Sequence, residues 1–129
     1  MKNKRLFIIS NSITALMLGG LIYLISGSET YLSEFIRNQF DFNLVYENSF
    51  IIFARNYLCD GLWAYSLYNC ILMINDNVKS AYIIALSASV IWEFAQLFNL
   101  IKGTFDIADI FSSICFVSLA CVINKLWRR

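Results

Sequence analysis

Four apolar runs separated by polar breaks organise this chain. They cover residues 6–26, 55–74, 81–101 and 107–127. Each is close to the roughly 20 residues that an α-helix needs to cross the hydrocarbon core of a bilayer. The breaks at 75–80 and 102–106 are short, as turns between antiparallel helices are. The break at 27–48 is longer and mixed: Glu29, Glu34, Arg37, Asp41 and Glu47 interleave with Tyr31, Leu32, Phe35, Ile36, Phe40 and Phe42. Apolar residues at 31, 32, 35 and 36 with charges between them predict a short helix lying in the membrane interface. The expected fold is therefore an all-α polytopic membrane protein. Four transmembrane helices form an antiparallel bundle, with an amphipathic interfacial helix between spans one and two, and residues 1–129 make a single transmembrane domain. Gly19, Gly20, Ser12 and Thr14 in the first span suit close helix contact.

Composition strengthens this reading. The chain is 59% hydrophobic and 15% charged, with no proline, which is richer in apolar residues than a soluble domain of this length can bury. A net charge of +1 argues against a nucleic-acid partner, which would want a basic surface. The lipid bilayer is the partner that composition specifies. Lys2, Lys4, Arg5, Lys79, Lys125, Arg128 and Arg129 fall on one side of the predicted spans, and Arg37, Arg55 and Lys102 on the other. The positive-inside rule then places both termini and the 75–80 turn in the cytoplasm, as in a multi-pass protein of the bacterial inner membrane. The basic start, Met1 to Arg5, resembles that of a secretory signal, but the apolar run is too long and no small-x-small cleavage site follows, so it reads as an uncleaved first span. Cys59, Cys70, Cys115 and Cys121 lie in or beside apolar runs without paired spacing and read as packing residues. The chain has no histidine, so a His-containing zinc or haem site is excluded for its own side chains. No metal and no cofactor is expected.

The polar residues inside the spans carry the functional question. Arg55, Asn56 and Asp60 come from the outer end of span two, Glu93 and Gln96 from the outer half of span three, and Asp106 and Asp109 from the outer end of span four. Asn56 and Asp60 are four apart, and Glu93 and Gln96 three apart, so each pair shares a helix face. By helical rise Glu93 lies about 12 Å inside the 81–101 span. An unpaired charge at the centre of a span costs about 3 kcal/mol, so a partner or a function is expected. Arg55 is long enough to reach Glu93 or Asp60. Gln96 and Asn56 would then satisfy the remaining hydrogen bonds of Glu93, with Asp60 and Asp109 flanking a cleft. Three readings stay open: an outward-facing cleft that binds a head group or other cell-envelope molecule, a holin-like structural protein held by a stabilising ion-pair network, and an ion or proton path through Asp60, Glu93 and Asp109. Catalysis has little to stand on, since no histidine is present to activate Ser112 or Ser113, and no catalytic residue is assigned. Trp63, Trp92 and Trp127 read as interfacial or packing aromatics.

Glu93, Gln96, a short turn, and then Thr104, Phe105, Asp106, Ile107, Ala108 and Asp109 resemble the second half of the VanZ-like membrane proteins. These are small bacterial polytopic proteins named for an accessory protein of glycopeptide-resistance clusters. The resemblance covers roughly residues 55–121 and matches Glu93, Gln96 and Asp109 by type and spacing. It implies a helical bundle, a site at those three residues and a cell-envelope or glycopeptide-like ligand. The chain departs from the family pattern at Gly103, where the family has arginine, and at Ser113 and Phe116, where it has asparagine and glycine. The first-half signature keeps its aspartate at Asp60, without the histidine that follows in the family.

Overall fold

The computed structural model describes residues 2–26, 35, 38–39, 48–101 and 104–128. The regular structure of these residues is helical. It comprises α1 (Lys2–Ile25), a short α2 (Ser49–Phe53), a π-helical turn (Ala54–Leu58), α3 (Cys59–Asn75), α4 (Val78–Leu97) and α5 (Ile107–Arg128). The junction residues Phe53, Ala54, Leu58 and Cys59 all keep right-handed helical angles, so residues 49–75 run as one helix carrying a π turn. The expected interfacial helix at 27–48 falls almost wholly outside the described residues, as do Lys102 and Gly103.

Local chemistry sets the helix ends. Asp76 adopts a left-handed conformation (φ 51°), and its N–H closes α3 on the Leu72 carbonyl at 2.9 Å. Asn77 then caps α4, its side-chain oxygen accepting from the N–H groups of Lys79 and Ser80 at 3.0 and 3.2 Å, which satisfies two of the donors a helix start leaves open. The α3–α4 turn is thus two residues, tighter than the 75–80 break. At the other end α4 stops at Leu97 rather than near residue 101, and Asn99 (φ 55°) turns the chain. Asp106 opens α5, its Oδ1 accepting from the Ala108 N–H at 2.9 Å.

The core sits around α3, which packs against α1, α4 and α5. Ala64, Tyr68 and Leu72 of α3 meet Ala81 and Ala85 of α4, Val117 and Ala120 of α5, and Ile8 and Ala15 of α1. The abundance of alanine lets the backbones approach, as in membrane helix pairs. Gly61 makes the tightest approach: a Cβ there would stand 2.7 Å from Ser112 Oγ and closer still to the Phe116 ring. The glycines of α1 behave otherwise. A Cβ at Gly19 would make only ordinary contact with Leu62, and one at Gly20 would meet nothing within 4 Å.

Polar ties cross the same interfaces. Ser12 and Ser66 bond reciprocally, hydroxyl to hydroxyl at 2.6 Å and Ser66 Oγ to the Ser12 carbonyl at 3.1 Å. Asn124 Nδ2 donates to Asn69 Oδ1 at 2.8 Å, with both residues almost fully buried. The outward faces are apolar, with Leu6, Ile13 and Met17 of α1, Ile83 and Ile91 of α4, and Phe111, Leu119 and Leu126 of α5 exposed. Among the described residues three helices, Lys4–Ile25, Val78–Leu97 and Ile107–Trp127, are long and apolar enough to cross a membrane. Apolar exposure on that scale is what lipid, not water, solvates.

Candidate functional site

Asp60 lies fifteen residues from the Asn75 end of α3, and Glu93 fifteen residues from the Val78 end of α4. Because a two-residue turn joins those ends, both carboxyls stand about 22 Å up the bundle from it. They meet at a cavity of about 220 Å³ walled by all four long helices. Helix α1 contributes Tyr23; α3 contributes Cys59, Asp60 and Trp63; α4 contributes Ser89, Trp92 and Glu93; and α5 contributes Ser113. Ser89 and Glu93 are one helical turn apart, which puts both on the cavity face of α4. The Trp63 and Trp92 rings lie 6.2 Å apart between centroids, inclined by 37°.

Some of these polar groups are satisfied by the protein and some are not. Ser89 Oγ donates to the Ala85 carbonyl at 3.1 Å, and the Cys59 thiol donates to the Gly19 carbonyl at 3.7 Å. Glu93, only 5% exposed, accepts one long bond, 3.4 Å, from the Asp106 N–H. Ser113 is 4% exposed, lines the cavity, and has no hydrogen-bond partner among the described residues. The Asp60 carboxyl likewise has none there.

The remaining expected site residues take other places. Asp106 and Asp109 do not wall the cavity. Asp106 caps α5, and its Oδ2 accepts a long, weak bond from Tyr57 Oη at 3.5 Å. Asp109 lies within electrostatic range of Asp60, Glu93 and Asp106, and its Oδ1 is buried without a hydrogen-bond partner. Gln96 stands behind the wall. With its amide turned to suit both neighbours, it accepts from Trp92 Nε1 at 3.2 Å and donates to the Thr104 carbonyl at 3.0 Å. It therefore fixes the Trp92 indole to the α4–α5 connection.

Three expectations are corrected. Arg55 does not neutralise Glu93: its Nε donates to Oδ1 of the adjacent Asn56 at 3.3 Å, and among the described residues no ion pair joins it to Glu93 or Asp60. Asn56 does not share a face with Asp60. The π turn widens the helical repeat between them, leaving Asn56 exposed while Asp60 is half-buried at the cavity. Glu93 is also shallower than expected, four residues or about 6 Å from the end of α4, because that helix stops at Leu97.

Sequence singles out neither Tyr23 nor Ser89, Cys59 reads there as a packing residue, and Trp63 and Trp92 read there as interfacial or packing aromatics. Ser89 carried a usable signal, four residues before Glu93. Tyr23 carried none, since nothing in the sequence fixes how α1 is rotated against α3. The assembled chemistry is two carboxylates, free hydroxyl capacity and two indoles in a small recess. Among the described residues no group of three His, Cys, Asp or Glu side chains is arranged to hold a metal ion. Fold and site together define a small helical membrane protein with an acid-lined cavity between its helices. The chain matches no protein-family model, no curated protein and no solved structure.

Proposed function

We propose that this chain is a four-span, VanZ-like integral membrane protein whose cavity is an outward-facing binding site for a cell-envelope molecule. In this reading the 49–75 helix is a span alongside the three more apolar ones. Both termini and the α3–α4 turn face the cytoplasm of a bacterial cell, which follows the lysine and arginine distribution. The single observation that carries the reading is that two polar side chains lining the cavity, Ser113 and Asp60, have no hydrogen-bond partner among the described residues. Nearer the α3–α4 turn, polar side chains engage one another, Ser12 with Ser66 and Asn69 with Asn124. At the cavity, Ser113 and Asp60 have no hydrogen-bond partner among the described residues. A network that served only to hold helices together would satisfy its members, because unsatisfied polar groups away from water are costly. The stabilising-network alternative draws less support, since among the described residues Arg55 makes no ion pair with Glu93 or Asp60 and donates to Asn56.

The volume constrains the occupant. At about 220 Å³ the cavity is below the roughly 300–1,000 Å³ of drug-sized ligand sites. It suits a head group or the end group of a larger molecule, and a whole glycopeptide is too large for it. The test is a cysteine-accessibility map on a cysteine-free background, probed from outside with a membrane-impermeant thiol reagent. Ser113→Cys and Asp60→Cys should label, and Lys79→Cys should be protected. Labelling at the exposed Asn56→Cys with silence at both cavity positions would mean a dry interior and would sink the reading. A second reading, an ion or proton path, draws on the succession of Asp60, Glu93, Asp106 and Asp109 within electrostatic range. It requires ion or proton flux in liposomes that falls when Asp109 becomes Asn.

A further inference from the structure

We infer that the cavity receives a primary ammonium group carried on an organic molecule. This names the ligand class of the site proposed above and rests on that reading. The charge balance is the first ground. Asp60 and Glu93 line the cavity and Asp109 is in electrostatic range of both, whereas among the described residues its wall contains no lysine or arginine. Arg55 donates to Asn56 and lies within electrostatic range of Tyr23 and Cys59 on the wall, which leaves one cation against three acids.

An acidic cluster alone would not specify a ligand. The second ground is Ser113, 4% exposed and lining the cavity with no hydrogen-bond partner among the described residues. Ser113 lines the cavity from α5, and Asp60 and Glu93 line it from α3 and α4. Acceptors on three helices match the three N–H donors of an ammonium group. A quaternary ammonium offers no donors and would leave Ser113 as it is.

The third ground is the aromatic wall. The indoles of Trp63 and Trp92 line the same space, and aromatic faces attract organic cations. A bare inorganic ion would use neither this wall nor most of the volume, which is several times the roughly 30 Å³ of one water. The amine can belong to a lipid head group or to a free molecule, since both present the same ammonium.

The test uses the full-length chain with Trp127→Phe, so that fluorescence reports Trp63 and Trp92. In nanodiscs of phosphatidylglycerol alone, ethanolamine should produce a saturable change. Choline should be at least tenfold weaker, and sodium or potassium at equal ionic strength should give none. Asp60→Asn with Glu93→Gln should weaken the response at least tenfold, and the milder Ser113→Ala about threefold, with helical circular dichroism retained. In nanodiscs containing phosphatidylethanolamine, a signal already shifted and no longer responsive to ethanolamine identifies a lipid amine; a signal that still titrates identifies a free one. Equal responses to choline or sodium, an undiminished response in the double variant, or no saturable response in either membrane would each overturn the inference. Labelling at Ser113→Cys without an ethanolamine response removes this inference alone. Silence at Ser113→Cys and Asp60→Cys removes the binding-site reading with it.

Discussion

The cavity carboxyls and the polar residues nearer the α3–α4 turn should respond oppositely to substitution. Truncating one partner of a buried ion pair costs about 3–5 kcal/mol, because the other charge is left stranded. Among the described residues Glu93 and Asp60 have no such partner. Asp60→Asn and Glu93→Gln remove an uncompensated acid and keep its shape, so thermal denaturation in detergent should show unchanged stability or a gain of up to about 1 kcal/mol. Arg55→Met, at a residue that among the described residues bonds only its neighbour, should stay within about 0.5 kcal/mol of the parent. A loss above about 2 kcal/mol in Glu93→Gln, reversed by adding Arg55→Met, would reinstate an ion pair between them. Asn124→Ala is the contrasting case, since it leaves Asn69 Oδ1 without its donor. Interhelical hydrogen bonds in membranes contribute about 1 kcal/mol, and a double-mutant cycle of Asn69→Ala with Asn124→Ala should return a coupling of that order. A coupling near zero would remove the bond from the account of stability.

Among the elements, the crossing of α3 and α5 beside the cavity depends on Gly61. A methyl there would run into the Phe116 ring and Ser112 Oγ, and Ser112 is itself held, donating to the Tyr57 carbonyl of the π turn at 2.5 Å. Overpacking of this kind costs about 1–3 kcal/mol. Gly61→Ala should therefore lower the melting temperature, while Gly20→Ala, facing open space, should leave it unchanged or raise it through better helix propensity. Equal effects at the two positions would contradict the close crossing. The contrast also marks how far the sequence could be read. Apolar runs located α1, α4 and α5, because hydropathy is a local property. The equal depth of Asp60 and Glu93 was legible by counting residues back from the intervening turn. The π turn was not: 54–58 carries no glycine, proline or charge pattern that distinguishes it from α-helix. The face-sharing expected of Asn56 and Asp60 failed on it. Arg55 misled for a related reason, since side-chain length says what a guanidinium can reach, not which way its backbone aims it.

For the whole molecule the question is how a helix that carries charged and amide side chains comes to lie at the centre. Helix α3 has seventeen residues, with Asp60 and Asn69 among them, and the full 49–75 helix adds Arg55 and Asn56. On translocon scales a charged residue at a helix centre costs about 2.5–3.5 kcal/mol, so this segment alone has little to drive its insertion. In the bundle it packs against α1, α4 and α5, where Asn69 meets Asn124 and Ser66 meets Ser12, and these two buried polar positions no longer face hydrocarbon. Crossing by this segment should therefore depend on the helices around it. Glycosylation mapping in a host protein tests this. The 4–25 segment should insert almost completely on its own, and the 49–75 segment only in a minority of chains. Followed by α4 and α5, the 49–75 segment should insert in the majority, and Asn69→Leu should raise the isolated figure. Failure of residues 49–75 to cross even in the full chain would leave three spans and place the ends of the protein on opposite sides of the membrane. Asp60 would then no longer stand level with Glu93, and the cavity would lose its α3 wall.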